Sequence, residues 1–160
     1  MQALQLEPRS VKKFMGQLLR EDAFDNFDVR SVEIATTTLI TINGELAVEA
    51  SEVAGETEEI KKAGFSTWGS LRPLVLEIMR LSPKPRYMKI VFSCKVDEAT
   101  VIHTNAAALF LNLSYEGGNV FFTTGASPKE FVFEKTLDNA WDGWVSNFFV
   151  RNGYSVSVRE

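Results

Sequence analysis

Residues Leu109–Thr124 read LFLNLSYEGGNVFFTT. Leu109, Leu111, Leu113 and Tyr115 alternate with Phe110, Asn112 and Ser114. That is the two-residue period of a half-buried strand. Gly117-Gly118 interrupts the pattern and Val120–Thr124 resumes it. Two glycines between two such runs supply the positive φ that a tight hairpin turn needs. A hairpin joins antiparallel neighbours, whereas parallel strands need a long crossover. The stretch therefore predicts an antiparallel sheet.

Moving towards the N-terminus, Ile90, Phe92, Cys94 and Val96 share one strand face, with Lys89, Ser93 and Lys95 mainly on the other. Val32, Ile34, Thr36, Thr38, Ile40 and Ile42 alternate with Glu33, Thr37 and Thr41, rich in the β-branched residues that suit a pleated surface. Asn43-Gly44 is a second hairpin signal, with Leu46, Val48 and Ala50 expected on its return strand. Phe27 and Val29 are out of phase with the longer run, which predicts a bulge or break near Ser31. Leu4 and Leu6 form a short opening strand that Pro8 ends. Towards the C-terminus, a turn at Gly125–Pro128 leads to an expected strand at Glu130–Glu134, and Tyr154–Val158 adds an edge strand or frays.

Three segments change to helical spacing. Val11, Phe14, Met15, Leu18 and Leu19 predict a helix over 10–21 with Ser10 as N-cap. Leu71, Leu74, Val75, Ile78 and Met79 predict one over 70–81, with Ser70 as N-cap and Pro73 in its first turn. Phe65 and Trp68 open that region, and Ser82-Pro83-Lys84-Pro85 stops the helix. Leu137, Trp141, Val145 and Phe148 predict a third over 137–150, capped by Thr136 and ended by Gly153. Residues 51–64 read as a polar loop with one helical turn at Glu56–Lys62, and residues 97–105 carry no decisive pattern.

Residues 1–160 thus predict a single α+β domain: a mainly antiparallel sheet, hairpin connections and about three helices packed on one face. The expected core comprises Phe14, Leu18, Ile34, Ile40, Leu74, Ile78, Ile90, Phe92, Leu111, Leu113, Phe131, Phe133, Trp141 and Val145.

Reaction machinery is hard to find. Cys94 falls on an apolar strand face, where a thiol is a small, inert hydrophobe. The sole histidine, His103, lies nine residues away. One His and one Cys give no metal-ligand spacing, and Glu56, Glu58 and Glu59 read as solvated acids. The phosphate-binding patterns G-x-x-x-x-G-K-[ST] and G-x-G-x-x-G are both missing. Asn112-Leu113-Ser114 matches a glycosylation sequon but lies within a predicted strand. Asp138 and Asp142 share a helix face and suit acid–base work only if they lie in a pocket. Trp141 and Trp144 read as core anchors. The expectation is no catalytic residue, no metal and no cofactor.

One cysteine excludes an intramolecular disulfide and fits a reducing compartment. MQALQLEPRS lacks the basic start and apolar run of a signal peptide, and no stretch has the length of a membrane span. A cytoplasmic, membrane-free location is expected.

Charge supplies the remaining signal. The chain carries a net −4. Against that average, Lys12, Lys13 and Arg20 edge the first predicted helix, and Arg72 and Arg80 edge the second. Such edges either solvate amphipathic helices or meet an anion. If the two helices pack side by side, these five residues are the candidate nucleic-acid contacts.

Four segments carry a resemblance: SVKKFMGQLLREDAFDNF, FSTWGSLRPL, LFLNLSYEGGNVFFTTG and LDNAWDGWV. Together they resemble an uncharacterised bacterial family of similar length. The resemblance covers most of the chain, implies a compact cytosolic domain and transfers no site residue. The order of elements is also similar to one domain of a DNA sliding clamp, which places its helices on a basic inner face. The chain departs from that pattern in its Trp-rich third helix and in holding one such domain. The expected function is a non-catalytic binding or assembly module, meeting a protein partner or another copy of itself. The alternatives are a clamp-like nucleic-acid-associated protein using the basic helix edges and a small enzyme with a carboxylate-based site.

Overall fold

The structure, a computed structural model, describes residues 2–47, 64–82 and 84–159. The chain runs β1 (Ala3–Leu6), a 3-10 turn (Pro8–Ser10), α1 (Val11–Arg20), β2 (Asp28–Ala35), β3 (Leu39–Asn43), α2 (Trp68–Leu81), β4 (Tyr87–Ser93), α3 (Val96–Ile102), β5 (Ala106–Glu116), β6 (Asn119–Pro128), α4 (Thr136–Arg151) and β7 (Val156–Val158). The strands form one sheet in the order β3-β2-β4-β5-β6-β1-β7, and every pairing is antiparallel. This is the expected α+β fold.

The central hairpin forms as its glycines require. Gly117 and Gly118 take φ of 59° and 79°, a conformation that β-carbons disfavour. Its register aligns Leu113 with Phe122, and pairing carries that row outwards through Ile90 and Val32 on one side and Leu4 on the other. All five side chains are buried. The helices cover this face. Phe14 of α1 meets Phe122 edge-on, ring centroids 5.6 Å apart; Trp68 of α2 meets Phe92 at 5.6 Å; Phe149 of α4 meets Phe122 at 4.7 Å. The opposite row, Glu33, Lys89, Ser114 and Phe121, mixes charged, polar and aromatic side chains.

The three predicted helices all form, within two residues of their expected bounds. Their caps differ. α2 begins earlier because the Thr67 hydroxyl accepts the Ser70 N–H at 3.3 Å, so Thr67 is the cap and Pro73 is the sixth helical residue. Ser10 makes no side-chain cap bond, and Thr136 is the first residue of α4 with Lys135 at the cap. At the other end of α4, Gly153 takes φ 74° and lets the chain leave the helix, and the tail pairs with β1 as an edge strand.

Further expectations are corrected. The Val32–Ile42 run is two strands, turning at Thr36–Thr38, with Ile34 opposite Ile40. Those two positions are an even number apart, so alternation continues through the turn and hides it. Asn43-Gly44 is therefore not the hairpin turn, and Leu46 lies outside any strand; Val48, Ala50 and the helical turn expected at Glu56–Lys62 lie outside the described residues. Gly44 serves a different need: a β-carbon there would sit 1.7 Å from the Val29 carbonyl oxygen, beside the expected bulge between Val29 and Ser31. Val96 ends no strand but begins α3, a fourth helix.

The last two corrections concern burial. β6 continues through Gly125–Pro128, and Pro128 opposite Ala106 is its last pair. β5 offers no partner beyond that point, so the expected strand at Glu130–Glu134 does not form. Phe131 and Phe133 are consequently 78% and 94% exposed. Leu74 is 51% exposed because α2 turns Trp68 and Val75 inwards; the Trp68 indole N–H fixes that rotation by donating to the Leu18 carbonyl at 3.0 Å. Ile40 and Ile78 pack against the core from partly buried positions.

Phe92→Ala is expected to lower stability by about 3–5 kcal/mol in denaturant unfolding, as for other buried Phe truncations. Gly44→Ala is expected to cost about 1–3 kcal/mol through overpacking. Phe131→Ser and Phe133→Ser are expected to change stability by no more than about 0.5 kcal/mol, the scale of surface substitutions. A Phe133 effect as large as that of Phe92 would contradict this placement.

Candidate functional site

Between α1 and β2 the chain makes a turn that is stitched to the start of α2. Its carbonyls at Asp25 and Phe27 accept the N–H groups of Gly69 and Trp68 at 3.2 and 2.9 Å. These are among the donors a helix N-terminus leaves unpaired. The Asp25 carboxylate completes the junction by accepting both Arg72 Nε at 2.9 Å and a second guanidinium nitrogen at 2.8 Å. That bond favours the charged guanidinium and raises the Arg72 pKa.

The turn is one wall of a groove of about 570 Å³; the others are α3 and the C-terminal half of α4. Phe27, Trp144 and Phe148 make its floor. Trp144 stacks between Trp141 and Phe148, with centroids 5.2 and 5.6 Å away and planes inclined by only 18° and 9°. Phe27 meets Trp144 edge-on at 5.9 Å. Helical spacing produces the stack, because 141, 144 and 148 lie on one face of α4. Asp97 and Glu98 stand on the α3 side, and Arg151 stands 6.0 Å from the Trp144 ring centre. Val101 of α3 lines the groove while 87% exposed.

A buried thiol stands beside Glu98 of the rim. Cys94 Sγ is 3.9 Å from Glu98 Oε2. Burial, followed by the charges of Glu98 and Asp28, pushes the Cys94 thiol from 9.0 up to about 12. Burial raises the Asp28 pKa as well; Lys95 and Arg30 oppose that shift and Glu98 adds to it. The α3 end of the groove thus presents two exposed carboxylates, Asp97 and Glu98.

The residues singled out in the sequence fall in separate places. α1 and α2 pack against each other. Lys12, Lys13 and Arg20 are exposed on α1, Arg72 is engaged by Asp25, and Arg80 lies 3.5 Å from Glu77. Cys94 and His103 flank opposite ends of α3, a helix of seven residues that spans about 10 Å at 1.5 Å per residue. His103 Nδ1 accepts the Asn105 N–H at 3.1 Å. Asp142 accepts the hydroxyl of buried Thr124 at 2.5 Å, which ties α4 to β6. Trp141 is an anchor as expected, its indole N–H donating to the Phe110 carbonyl at 2.8 Å, whereas Trp144 lines the groove. Among the described residues, no group of three or more His, Cys, Asp or Glu is arranged to hold a metal ion.

Sequence reading missed the groove because two of its walls looked featureless. Phe24 and Phe27 sit in the polar run EDAFDNFD, and α3 is too short to display a period. A usable signal was the Asp97-Glu98 pair ahead of Ala99 and Ile102, acids in a first helical turn followed by apolar residues three apart.

Comparison with known proteins gives a family match. The model of a family described as a family of unknown function (DUF5721) matches residues 17–157. No curated protein and no solved structure matches.

The raised thiol pKa has a pH consequence. The folded chain holds the Cys94 proton to higher pH than the unfolded chain does. The thiol therefore contributes stability that is complete below about pH 9 and is lost as pH rises from about 9 towards 12. Burial raises the Tyr154 pKa in the same direction, so the informative comparison is wild type against Cys94→Ala. Urea unfolding at about pH 8 and pH 10.5 is expected to show a steeper loss for wild type. Iodoacetamide is expected to label native Cys94 slowly and unfolded Cys94 quickly; rapid native labelling would contradict its burial.

Proposed function

We propose that this chain, which belongs to the DUF5721 family of unknown function, is a non-catalytic binding module whose recognition site is the groove between α3 and α4. The observation that carries the reading is the composition of the groove. Its floor is stacked aromatic carbon, and its charged groups stand at the rim. Such a surface binds by desolvating an apolar or aromatic group and orients it by charge. Asp97 and Glu98 favour a cation at the α3 end. Arg151 suits an anionic group at the rim. The preferred ligand is thus a ring-bearing group with a neighbouring positive charge. The single buried thiol supports a cytoplasmic location, and no described helix is long and apolar enough to cross a membrane.

A second reading, clamp-like association with nucleic acid, draws support from the side-by-side packing of α1 and α2 and the exposure of Lys12, Lys13 and Arg20. Arg72 and Arg80 face Asp25 and Glu77, which leaves the α1 cations as its main contacts. Fluorescence anisotropy with a short duplex at low salt tests it: K12E/K13E/R20E is expected to abolish any binding, and binding unchanged by that triple substitution would overturn this reading.

Titration calorimetry with 2-phenylethylammonium and phenylacetate tests the groove. The ammonium is expected to bind about fivefold more tightly, the equivalent of about 1 kcal/mol for a solvent-facing ion pair. D97N/E98Q is expected to remove the preference and Trp144→Ala to remove binding of both. Equal or tighter binding of phenylacetate by the wild type, or binding untouched by Trp144→Ala, would overturn the proposal.

A further inference from the structure

The segment Lys129–Lys135, KEFVFEK, connects β6 to α4. Its aromatic side chains are turned outwards: Phe131 is 78% and Phe133 94% exposed. They pack on each other edge-to-face at 5.2 Å and so form one apolar knob. The base of the knob is held. The Lys129 N–H donates to the Asn105 carbonyl at 2.8 Å, the Glu130 N–H to Asn105 Oδ1 at 3.0 Å, and Asn105 Nδ2 to the Glu130 carbonyl at 2.9 Å. Three hydrogen bonds through one residue order the start of the loop before anything binds, which lowers the entropic cost of docking it. Two adjacent, water-facing phenylalanines on a pinned loop are the kind of contiguous apolar feature that marks an interaction site.

We propose that the occupant of the groove is a second copy of this chain, entering by its Lys129–Lys135 loop. The inference rests on the groove reading above and names its partner. Shape and charge support it together. The groove has an aromatic floor and a volume of about 570 Å³, within the range that encloses a compact group of this kind. Phe131 and Phe133 supply the rings. Lys129 and Lys135 supply cations for Asp97 and Glu98, and Glu130 and Glu134 supply anions for Arg151. All of these charged side chains are exposed. A lipid surface fits less well, because the knob carries two acids among its four charges on a chain of net −4. Each copy carries both a knob and a socket, so the contact repeats between copies without any further component.

Sedimentation velocity over a rising concentration series tests the proposal. Wild type is expected to self-associate. F131S/F133S, which removes the knob from the surface, and Val101→Lys, which places a cation in the socket at an exposed position, are each expected to weaken association by about tenfold or more, as for the loss of an interface anchor. Circular dichroism and thermal melts of both variants are expected to match wild type. A mixture of the two restores association, since one contributes an intact socket and the other an intact knob. A wild type that stays monomeric throughout overturns the proposal. So does association that survives F131S/F133S, or association lost in F131S/F133S but unchanged by Val101→Lys, which places the knob elsewhere. Titration of the same samples with 2-phenylethylammonium separates the two readings. Ligand binding to a persistently monomeric chain overturns the second-copy proposal and leaves the groove reading standing, whereas a chain that neither associates nor binds the ligand overturns both.

Discussion

Phe24 is the side chain on which the arrangement of the helices depends. It sits in the turn between α1 and β2, fully buried, and touches five other rings. Phe14 belongs to α1, Phe92 to β4, Phe148 to α4 and Tyr154 to the segment before β7, with Phe27 three residues on. One aromatic group therefore fixes two helices and the C-terminal segment against the sheet. Aromatic pairs have preferred offset and edge-to-face geometries, so this hub sets orientation as well as supplying buried area. The turn that carries it is itself held by α2, through two backbone bonds and the Asp25–Arg72 pair.

The groove follows from the same constraint. Phe27 and Phe148 touch Phe24 on one side and line the groove on the other. The core thus continues outwards through Phe148 and Trp144 until it meets water. α3 approaches this surface without closing it: Ala99 is buried, while Val101 projects into solvent. An aromatic stack fixed by the core and open along one side is preorganised, which is what a recognition surface requires. The acids of α3 stand where they bias the kind of group that enters.

Most of the fold was legible in the residues, for a definite reason. Wherever one face is buried, the strand and helix periods are imposed on the sequence, as in Leu109–Leu113, Ile90–Phe92 and the apolar stripe of α1. The errors arise where a period is ambiguous or lacks a partner. The turn at Thr36–Thr38 preserves alternation and was invisible. The run Phe131-Val132-Phe133 alternates as a strand does, but a strand needs a neighbour and β5 ends too soon. The groove was not legible, because it is assembled by tertiary contact between an irregular turn, a short helix and one face of a long helix. The basic residues were individually evident, but the pairing of Arg72 with Asp25, 47 positions away, was not.

The chain contains three tryptophans, which makes a direct measurement available. Trp68 and Trp141 are buried with their indole N–H groups bonded to backbone carbonyls, while Trp144 is partly exposed on the groove floor. Fluorine NMR of protein labelled with 5-fluorotryptophan reports on all three at once. If the groove floor is a recognition surface on a rigid core, the Trp144 resonance responds most to the solvent isotope, and it moves most as protein concentration or an aromatic ammonium ligand is raised, with Trp141 following weakly through the stack. Trp68 serves as the internal control. A Trp144 resonance as unresponsive as that of Trp68, or three resonances that shift together, would contradict the account.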